Sequence, residues 1–204
     1  MNLDTTQLMA IAAGLGWASG LRLYAVVFLT GMAGFMGWVD LPQGLQLLQH
    51  PLMLGASGLM LFVEFFADKI PGIDTVWDVV HTVVRIPAGA ALAAGVFGAD
   101  HSTAAAVAAV LGGMLAATSH VAKATTRAAA NTSPEPFSNI GLSLLGDGAV
   151  PVMLWLSWQQ PLVFFGLLLL ALVVMVVLTW VFAKFLRQLL RLLSKWLGSP
   201  RPST

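Results

Sequence analysis

One stretch of the chain, residues 64–85 (EFFADKIPGIDTVWDVVHTVVR), holds many of its ionisable side chains. Of the nine acidic and ten basic residues in the whole sequence, four and two fall here, together with one histidine. They are Glu64, Asp68, Lys69, Asp74, Asp78, His81 and Arg85. Apolar sequence long enough to cross a bilayer lies on both sides. Because charges are costly near hydrocarbon, this cluster requires partners, water or a bound ion.

Four of these residues recur at helical spacing. Asp74, Asp78, His81 and Arg85 follow one another at intervals of four, three and four positions, which places them on one face of a helix. Such a stripe suits the polar wall of a cavity that binds a charged solute. It equally suits salt bridges within one helix, and a carboxylate in the first turn, as at Asp74, is favoured by the helix dipole alone. Both interpretations stay open.

A divalent cation is one ligand that the cluster could hold. Glu64 and Asp68 lie one helical turn apart, and with Asp74 or Asp78 they could supply the oxygen ligands that hard cations prefer. The spacing is not specific for any metal, so a metal site is a hypothesis without an assigned ion. The remaining histidines are isolated in the sequence, which favours interfacial or structural roles: His50, His101 and His120.

Two charged residues outside this stretch are expected to meet inside the membrane. Arg22 lies deep in the first hydrophobic segment, where an unpaired arginine would cost about 3 to over 10 kcal/mol. Asp147 lies at a similar depth in the fifth segment and is its natural partner. Such a pair could only fix the packing of two helices, or it could balance the charge of a substrate or proton site.

The connection before the fifth segment, RAAANTSPEPFSN (residues 127–139), is rich in turn and capping residues. It predicts an ordered loop, and the alternative is a cytoplasmic gate to a cavity. The gate candidates in and near this connection are Lys123, Arg127, Asn131, Glu135 and Asn139.

Composition identifies the class of protein. The chain is 58% hydrophobic and 9% charged, whereas soluble domains carry about 25% charged residues. We therefore expect an all-α, polytopic membrane helix bundle formed by one domain, residues 1–204. The absence of cysteine excludes disulfides, thiolate metal sites and cysteine nucleophiles. The net charge of +1 gives no argument for nucleic acid, and no motif for a cofactor, a zinc ion or a catalytic triad is present, which makes an enzyme the less favoured class.

About six segments are apolar enough to span a bilayer as helices. They cover residues 6–38, 52–67, 73–98, 102–126, 138–158 and 162–185. The first is over-long, so it should be tilted, bent or extended beyond the bilayer. Pro87 and Pro151 fall inside segments and predict kinks or breaks. The sequence does not decide whether residues 68–82 form a re-entrant turn.

Basic residues predict the orientation. The C-terminal tail is expected to be cytoplasmic because of Lys184, Arg187, Arg191, Lys195 and Arg201. With six spans the N-terminus is then also cytoplasmic, and Arg22 is the one basic residue that does not fit. Residues 186–204 read as a basic amphipathic tail lying on the inner leaflet and binding anionic lipids.

Three spans in each half suggest a 3+3 inverted pseudo-repeat, with halves at residues 1–100 and 101–185. Segments three and four are nearly all small residues, which lets helix backbones approach closely in a membrane. A homo-oligomer stays open.

Long motifs carry a family resemblance. SGLRLY (19–24), EFFADKIPGIDTVWDVVHTVVRIPAGA (64–90) and NTSPEPFSN (131–139), with the later Asp147, resemble the bacterial membrane family known as domain of unknown function 4126. The resemblance implies a small protein of the bacterial inner membrane with no established activity. More distantly, residues 64–69 and 146–147 are similar to the Glu-X-Gly-Asp-Lys motifs of manganese and calcium exchangers, although the first is one residue longer and the second lacks its glutamate.

The leading hypothesis is a secondary transporter or permease for a cation or a small charged solute, coupled to protons through carboxylates in the membrane. Its substrate would be a small solute or ion. The alternatives are a membrane-embedded enzyme that modifies lipids and a non-catalytic scaffold with structural ion pairs. A polar cavity joining Arg22 to Asp147 would favour transport, a site open sideways would favour the enzyme, and tight pairing without a cavity would favour the scaffold.

Overall fold

The computed structural model describes residues 3–70, 72–132 and 137–197, and within them the chain is almost entirely helical, with no β-strand. The elements are α1 (Thr5–Phe35), a 3-10 helix (Gln43–Gln49), α2 (Pro51–Ala67), α3 (Ile73–Phe97), a second 3-10 helix (Ala99–His101), α4 (Ser102–Ala130), α5 (Phe137–Gln159) and α6 (Pro161–Leu197). Five described helices are long and apolar enough to cross a membrane, or up to six if the first 3-10 helix and α2, bent by 70°, form one span. The all-α membrane bundle is confirmed.

Helix α1 is interrupted at Arg22, where φ is −148° and ψ is 79°, far from helical values. The residues on either side are helical. The over-long first segment is therefore bent, which is one of the three alternatives predicted for it. We refer to the end of the bundle where Arg22, Asp68 and Asp147 meet as the charged end.

The first half of α1, residues 5–21, runs toward the charged end. Near its start, Gln7 Nε2 donates a hydrogen bond to the carbonyl oxygen of Trp158, one residue before α5 ends. After its last residue, Arg22 contacts Asp147 in the first half of α5. Residues 5–21 are therefore antiparallel to α5 and begin at the end of the bundle opposite the charged end.

The second half of α1, residues 23–35, turns back. Thr30 and Ala33 line a cavity together with Trp158, the residue that also binds Gln7. Both halves therefore extend from Arg22 toward the same end of the bundle. We call residues 5–35 the α1 hairpin, with Arg22 at its tip.

The neighbours of the hairpin agree with this direction. Gly31 packs on Leu54 near the start of α2, whereas Arg22 contacts Asp68 just after α2 ends. The first 3-10 helix lies over the end of α3, since Gly44 packs directly on Gly95. Helices α2 to α6 then run alternately toward and away from the charged end.

Of the kinks or breaks predicted at the two internal prolines, the breaks do not occur, and kinks stay a prediction. Helix α3 continues through Pro87 and α5 through Pro151. Neighbouring helices tolerate such prolines because the freed carbonyl groups can be satisfied locally. Residues 73–82 belong to the continuous helix α3 and form no turn, whereas Pro71 lies outside the described residues.

Small residues bring α1, α3 and α4 into close contact, as expected for segments three and four. A Cβ atom on Gly16 would come within 2.6 Å of the Gly112 Cα of α4, and one on Gly20 would collide with the Ala116 carbonyl oxygen. A Cβ atom on Gly89 of α3 would lie 2.7 Å from the Ala116 Cβ. The first half of the α1 hairpin is therefore clamped between α3 and α4.

Helix α6 begins next to the end of α5 and continues as one helix to Leu197. The tail that was expected as a separate surface helix is thus a continuation of α6 as far as Leu197. Arg201 lies outside the described residues. Association of this tail with anionic lipids stays a prediction.

Candidate functional site

The tip of the α1 hairpin forms the centre of the site. Arg22 Nη2 lies 2.8 Å from Asp147 Oδ1, and Arg22 Nη1 lies 3.1 Å from Asp68 Oδ2. Nη2 also donates to the Ser143 hydroxyl (2.9 Å). Arg22 is almost completely buried. The predicted pairing of Arg22 with Asp147 is confirmed, and Asp68 is a second partner that the sequence did not indicate.

Asp68 is shared by three basic side chains. Besides Arg22, Lys123 Nζ lies 2.9 Å and Arg127 Nη2 lies 3.2 Å from Asp68 Oδ2. All of these groups are buried or nearly so. The three cations also contact other carboxylates, so Asp68 is not their sole counter-charge. Asp78, for example, lies 3.1 Å from Lys123.

The stripe on α3 faces the interior. Arg85 Nη2 lies 2.6 Å from Glu64 Oε1, and Arg85 Nη1 lies 2.7 Å from Asp78 Oδ1. Asp74, Asp78, His81 and Arg85 are all buried, so the spacing correctly predicted one buried polar face.

These ion pairs join into one continuous chain, which we call the charge network. Its described members are Arg22, Glu64, Asp68, Lys69, Asp74, Asp78, Arg85, Lys123, Arg127 and Asp147. Lys69 closes one end of the chain on Asp147 at 3.0 Å. With five basic and five acidic members, the network is neutral when all are ionised.

Two histidines extend the network through hydrogen bonds. His81 Nε2 lies 3.1 Å from the Tyr24 hydroxyl, and its ring stacks on Trp77. His120 Nε2 lies 2.7 Å from the Thr82 hydroxyl. His120 is isolated in the sequence but lies beside the network, since its Nδ1 lies 3.4 Å from Arg85 Nη1.

His120 belongs to a second stripe of polar residues, on α4. His120, Lys123, Arg127 and Asn131 follow at intervals of three, four and four along α4, the same kind of pattern as on α3. The two stripes face each other. The helical spacing on α4 was therefore the signal that could have identified His120.

Residues of α4 also satisfy the backbone at the helix break. The last carbonyl groups before an interruption lack partners within their own helix. Lys123 Nζ donates to the Leu21 carbonyl oxygen (3.0 Å), and the Ser119 hydroxyl donates to that of Trp17 (2.7 Å). Lys123 therefore holds the tip of the α1 hairpin as well as two carboxylates.

The gate candidates fall into three groups. Lys123 and Arg127 lie within α4 and belong to the charge network, and Asn131 at the end of α4 donates to both Asp74 oxygens (3.0 and 3.2 Å). Asn139 is buried in the first turn of α5. Glu135 lies outside the described residues, so a gating role of this connection stays a prediction.

In the described part of the chain, no group of three or more acidic or histidine side chains is arranged to hold a metal ion. Glu64, Asp68 and Asp78 each face arginine or lysine instead. The positions that a cation would take are thus filled by the protein's own basic groups.

A cavity of about 500 Å³ adjoins the network between α1, α4, α5 and α6. Four network members reach it: Arg22, Asp68, Lys123 and Arg127. The rest of its wall is largely apolar, and Asp147 does not line it. The polar cavity joining Arg22 to Asp147 that was expected of a transporter is therefore not seen among the described residues. A larger cavity of about 770 Å³ between α4 and α6 touches no network member. The smaller cavity is therefore the candidate binding site.

The comparisons with known proteins agree with the sequence motifs. Residues 9–181 match a family described as Domain of unknown function (DUF4126). No curated protein and no solved structure matches the chain. Because the family match covers most of the chain, including every member of the charge network, this protein belongs to the DUF4126 family.

Proposed function

We propose that the protein is a secondary transporter of an anionic solute in the bacterial inner membrane. The observation that carries this proposal is the interruption of α1 at Arg22, inside a buried charge network and beside a cavity. Broken helices within the membrane are typical of transporter binding sites, and irregular backbone at that depth is tolerated where protein or a cavity surrounds it.

The distribution of charge favours an anion over a cation. Three of the four network members at the cavity are basic, namely Arg22, Lys123 and Arg127. The carboxylates of the network are engaged by arginine or lysine. Arginine also binds carboxylate and phosphate through two parallel hydrogen bonds, which gives an anion a defined position.

Neutrality of the network suggests how protons would be coupled to transport. An anion that binds Arg22 must displace Asp68 or Asp147 from it. The released carboxylate would be buried and unpaired, which is costly unless it takes up a proton. The arrangement therefore favours movement of one proton together with each negative charge, by alternating access around the site. An inverted repeat as its basis stays a prediction.

Basic residues support a cytoplasmic location for the charged end. Those described lie either in the charge network or in the C-terminal part of α6, from Lys184 onward. Arg22 now agrees with the placement of basic residues on the cytoplasmic side, because the α1 hairpin brings it to the charged end from the outer side. We infer that the C-terminal tail is cytoplasmic and that the N-terminal end of α1 lies at the outer side, in place of the two cytoplasmic termini expected from six spans.

A membrane-embedded enzyme acting on lipids is the second candidate. The observation in its favour is that the cavity is apolar and open toward the bilayer between α5 and α6. Asp68, the acidic residue that lines the cavity, could serve as an acid or a base there. Turnover of lipid without net proton movement would distinguish it from a transporter.

Transport can be tested in proteoliposomes that enclose a pH-sensitive dye. Small anions and divalent cations are presented to the wild type and to the variants Asp147→Asn and Asp78→Asn. We expect proton uptake that requires an anion and is reduced at least tenfold in both variants, since each removes a carboxylate of the charge network. Asp100→Asn, which lies outside the network, is the matched control.

Two results would contradict the proposal. One is the absence of proton movement with every anion, despite correctly folded protein. The other is uptake driven equally well by divalent cations, which would return the assignment to a cation exchanger.

A further inference from the structure

The cavity beside the charge network is elongated. Its wall on α6 extends from Leu167 to Leu178, about 16 Å along the helix. Its volume of about 500 Å³ lies within the range of sites for small organic ligands. A monatomic or tetrahedral anion would occupy only a small part of this space.

The wall has two chemically different parts. Arg22, Lys123 and Arg127 lie at one part, with the Asp68 carboxylate and the Ser143 hydroxyl beside them. The remaining side chains are mostly aliphatic and come from α5 and α6. A hydrated anion gains nothing from this apolar part, because apolar surface cannot replace its hydration shell. An alkyl chain would bury apolar area there at about 25 cal/mol per Å².

The apolar part opens sideways to the surroundings of the bundle. Leu145 and Val152 of α5 line the cavity and are 70% and 55% exposed, and Leu170 of α6 lines it and is 60% exposed. Helix α6 packs mainly on α4 and only sparsely on α5. In a membrane this opening faces lipid, so a ligand could enter from the bilayer.

We propose that this cavity binds an anionic amphiphile, with its head group on Arg22, Lys123 and Arg127 and its alkyl chain in the groove between α5 and α6. This inference rests on the proposed transport of an anion and names the class of substrate. The head group is a phosphate monoester or a carboxylate, the anions that arginine binds in bidentate fashion. The chain of the ligand leaves the site through the lateral opening.

Binding is measured with the full-length protein in nanodiscs of zwitterionic lipid, with empty nanodiscs as the background. Radiolabelled monododecyl phosphate is the probe, and laurate, 1-dodecanol and inorganic phosphate are the competitors. We expect saturable binding that laurate displaces, with 1-dodecanol and inorganic phosphate each at least roughly tenfold weaker, about 1.4 kcal/mol. Comparison with 1-dodecanol measures the contribution of the ligand's charge, and comparison with inorganic phosphate measures that of its alkyl chain.

A matched pair of variants tests the position of the chain. Val174 lines the cavity and is 46% exposed, whereas its neighbour Val173 does not line it and is 54% exposed. Val174→Trp should weaken dodecyl phosphate binding about tenfold by filling the groove, whereas Val173→Trp should change it less than about twofold. Neither substitution touches the charge network, so both variants should fold.

The outcomes separate this proposal from the transport function. If inorganic phosphate bound as tightly as dodecyl phosphate, the ligand would not be an amphiphile, but anion transport would still stand. Equal binding by 1-dodecanol would also refute the anionic amphiphile, because it would show that the charge contributes nothing. Equal effects of the two tryptophan substitutions would overturn the assignment of the groove. Binding that follows all expectations, without flux in proteoliposomes, would support the site and refute transport.

Discussion

Arg22 combines an unusual backbone with two carboxylate partners. Its guanidinium group contacts Asp68 and Asp147, and its non-helical φ and ψ angles separate the two halves of α1. Buried ion pairs of this kind add little net stability compared with an apolar core. Their loss is costly, however, because the partner charges stay behind without water. The network therefore fixes the geometry of the tip.

The first prediction concerns removal of this positive charge. Arg22→Gln leaves Asp147 with Lys69 alone and takes one cation from Asp68, so the folded protein should lose about 3–5 kcal/mol. Thermal unfolding in detergent would show this as a lower Tm. Asp100→Asn, at the opposite end of the bundle, should leave the Tm nearly unchanged. An unaltered Tm in Arg22→Gln would mean that the two carboxylates do not depend on it.

At the scale of helices, the α1 hairpin depends on α4. The backbones approach closely at Gly16 and Gly20, and side chains of α4 bond to the carbonyl groups freed by the break. The second half of the hairpin, residues 23–35, is shorter than the roughly 20 residues that span the hydrocarbon. Packing between α3 and α4 stabilises the hairpin instead, and this explains why so much of α1 is buried.

A single methyl group tests this packing. In Gly20→Ala the new Cβ atom would collide with the Ala116 carbonyl oxygen and with the Ser119 hydroxyl, so we expect a loss of about 1–3 kcal/mol in unfolding free energy. The control is Gly55→Ala in α2, where a Cβ atom meets nothing within 4 Å. That substitution should be neutral or slightly stabilising. Denaturation in mixed micelles gives both values, and equal values for the two variants would argue against close packing of α1 on α4.

At the scale of the whole molecule, the hairpin changes the number of membrane crossings. In the topology proposed above, helices α2 to α6 cross the membrane in alternate directions, with α2 crossing together with the first 3-10 helix, whereas α1 enters and leaves from one side. An odd number of crossings places the two chain ends on opposite sides of the membrane. Every described basic residue lies in the charge network or in the C-terminal part of α6, which agrees with the proposed cytoplasmic location of both.

Sidedness can be measured directly because the chain contains no cysteine. Single cysteines are introduced as Thr6→Cys at the start of α1, Ser102→Cys at the start of α4 and Ser194→Cys near the end of α6. A membrane-impermeant maleimide added to intact cells should label the first two and should reach the third only after the membrane is opened. Labelling of Thr6→Cys and Ser194→Cys from the same side would restore six crossings and refute the hairpin topology.

The sequence by itself determined the class of protein, the hydrophobic segments and the buried faces. Hydropathy and helical spacing are local properties, so they predicted α2 to α5 to within a few residues and the inward face of Asp74, Asp78, His81 and Arg85. The cost of an unpaired charge in the membrane likewise predicted that Arg22 would meet an acid. These inferences needed no knowledge of which helices are neighbours.

Only the tertiary structure decided that α1 reverses at Arg22 and that Asp68 is the shared partner. Arg22 is neither glycine nor proline, so no local backbone preference marks the break. Its conformation is maintained by distant groups: Lys123 on the Leu21 carbonyl oxygen, and the carboxylates on the guanidinium. Such contacts join residues far apart in the sequence, and their energy is defined only once the helices are packed.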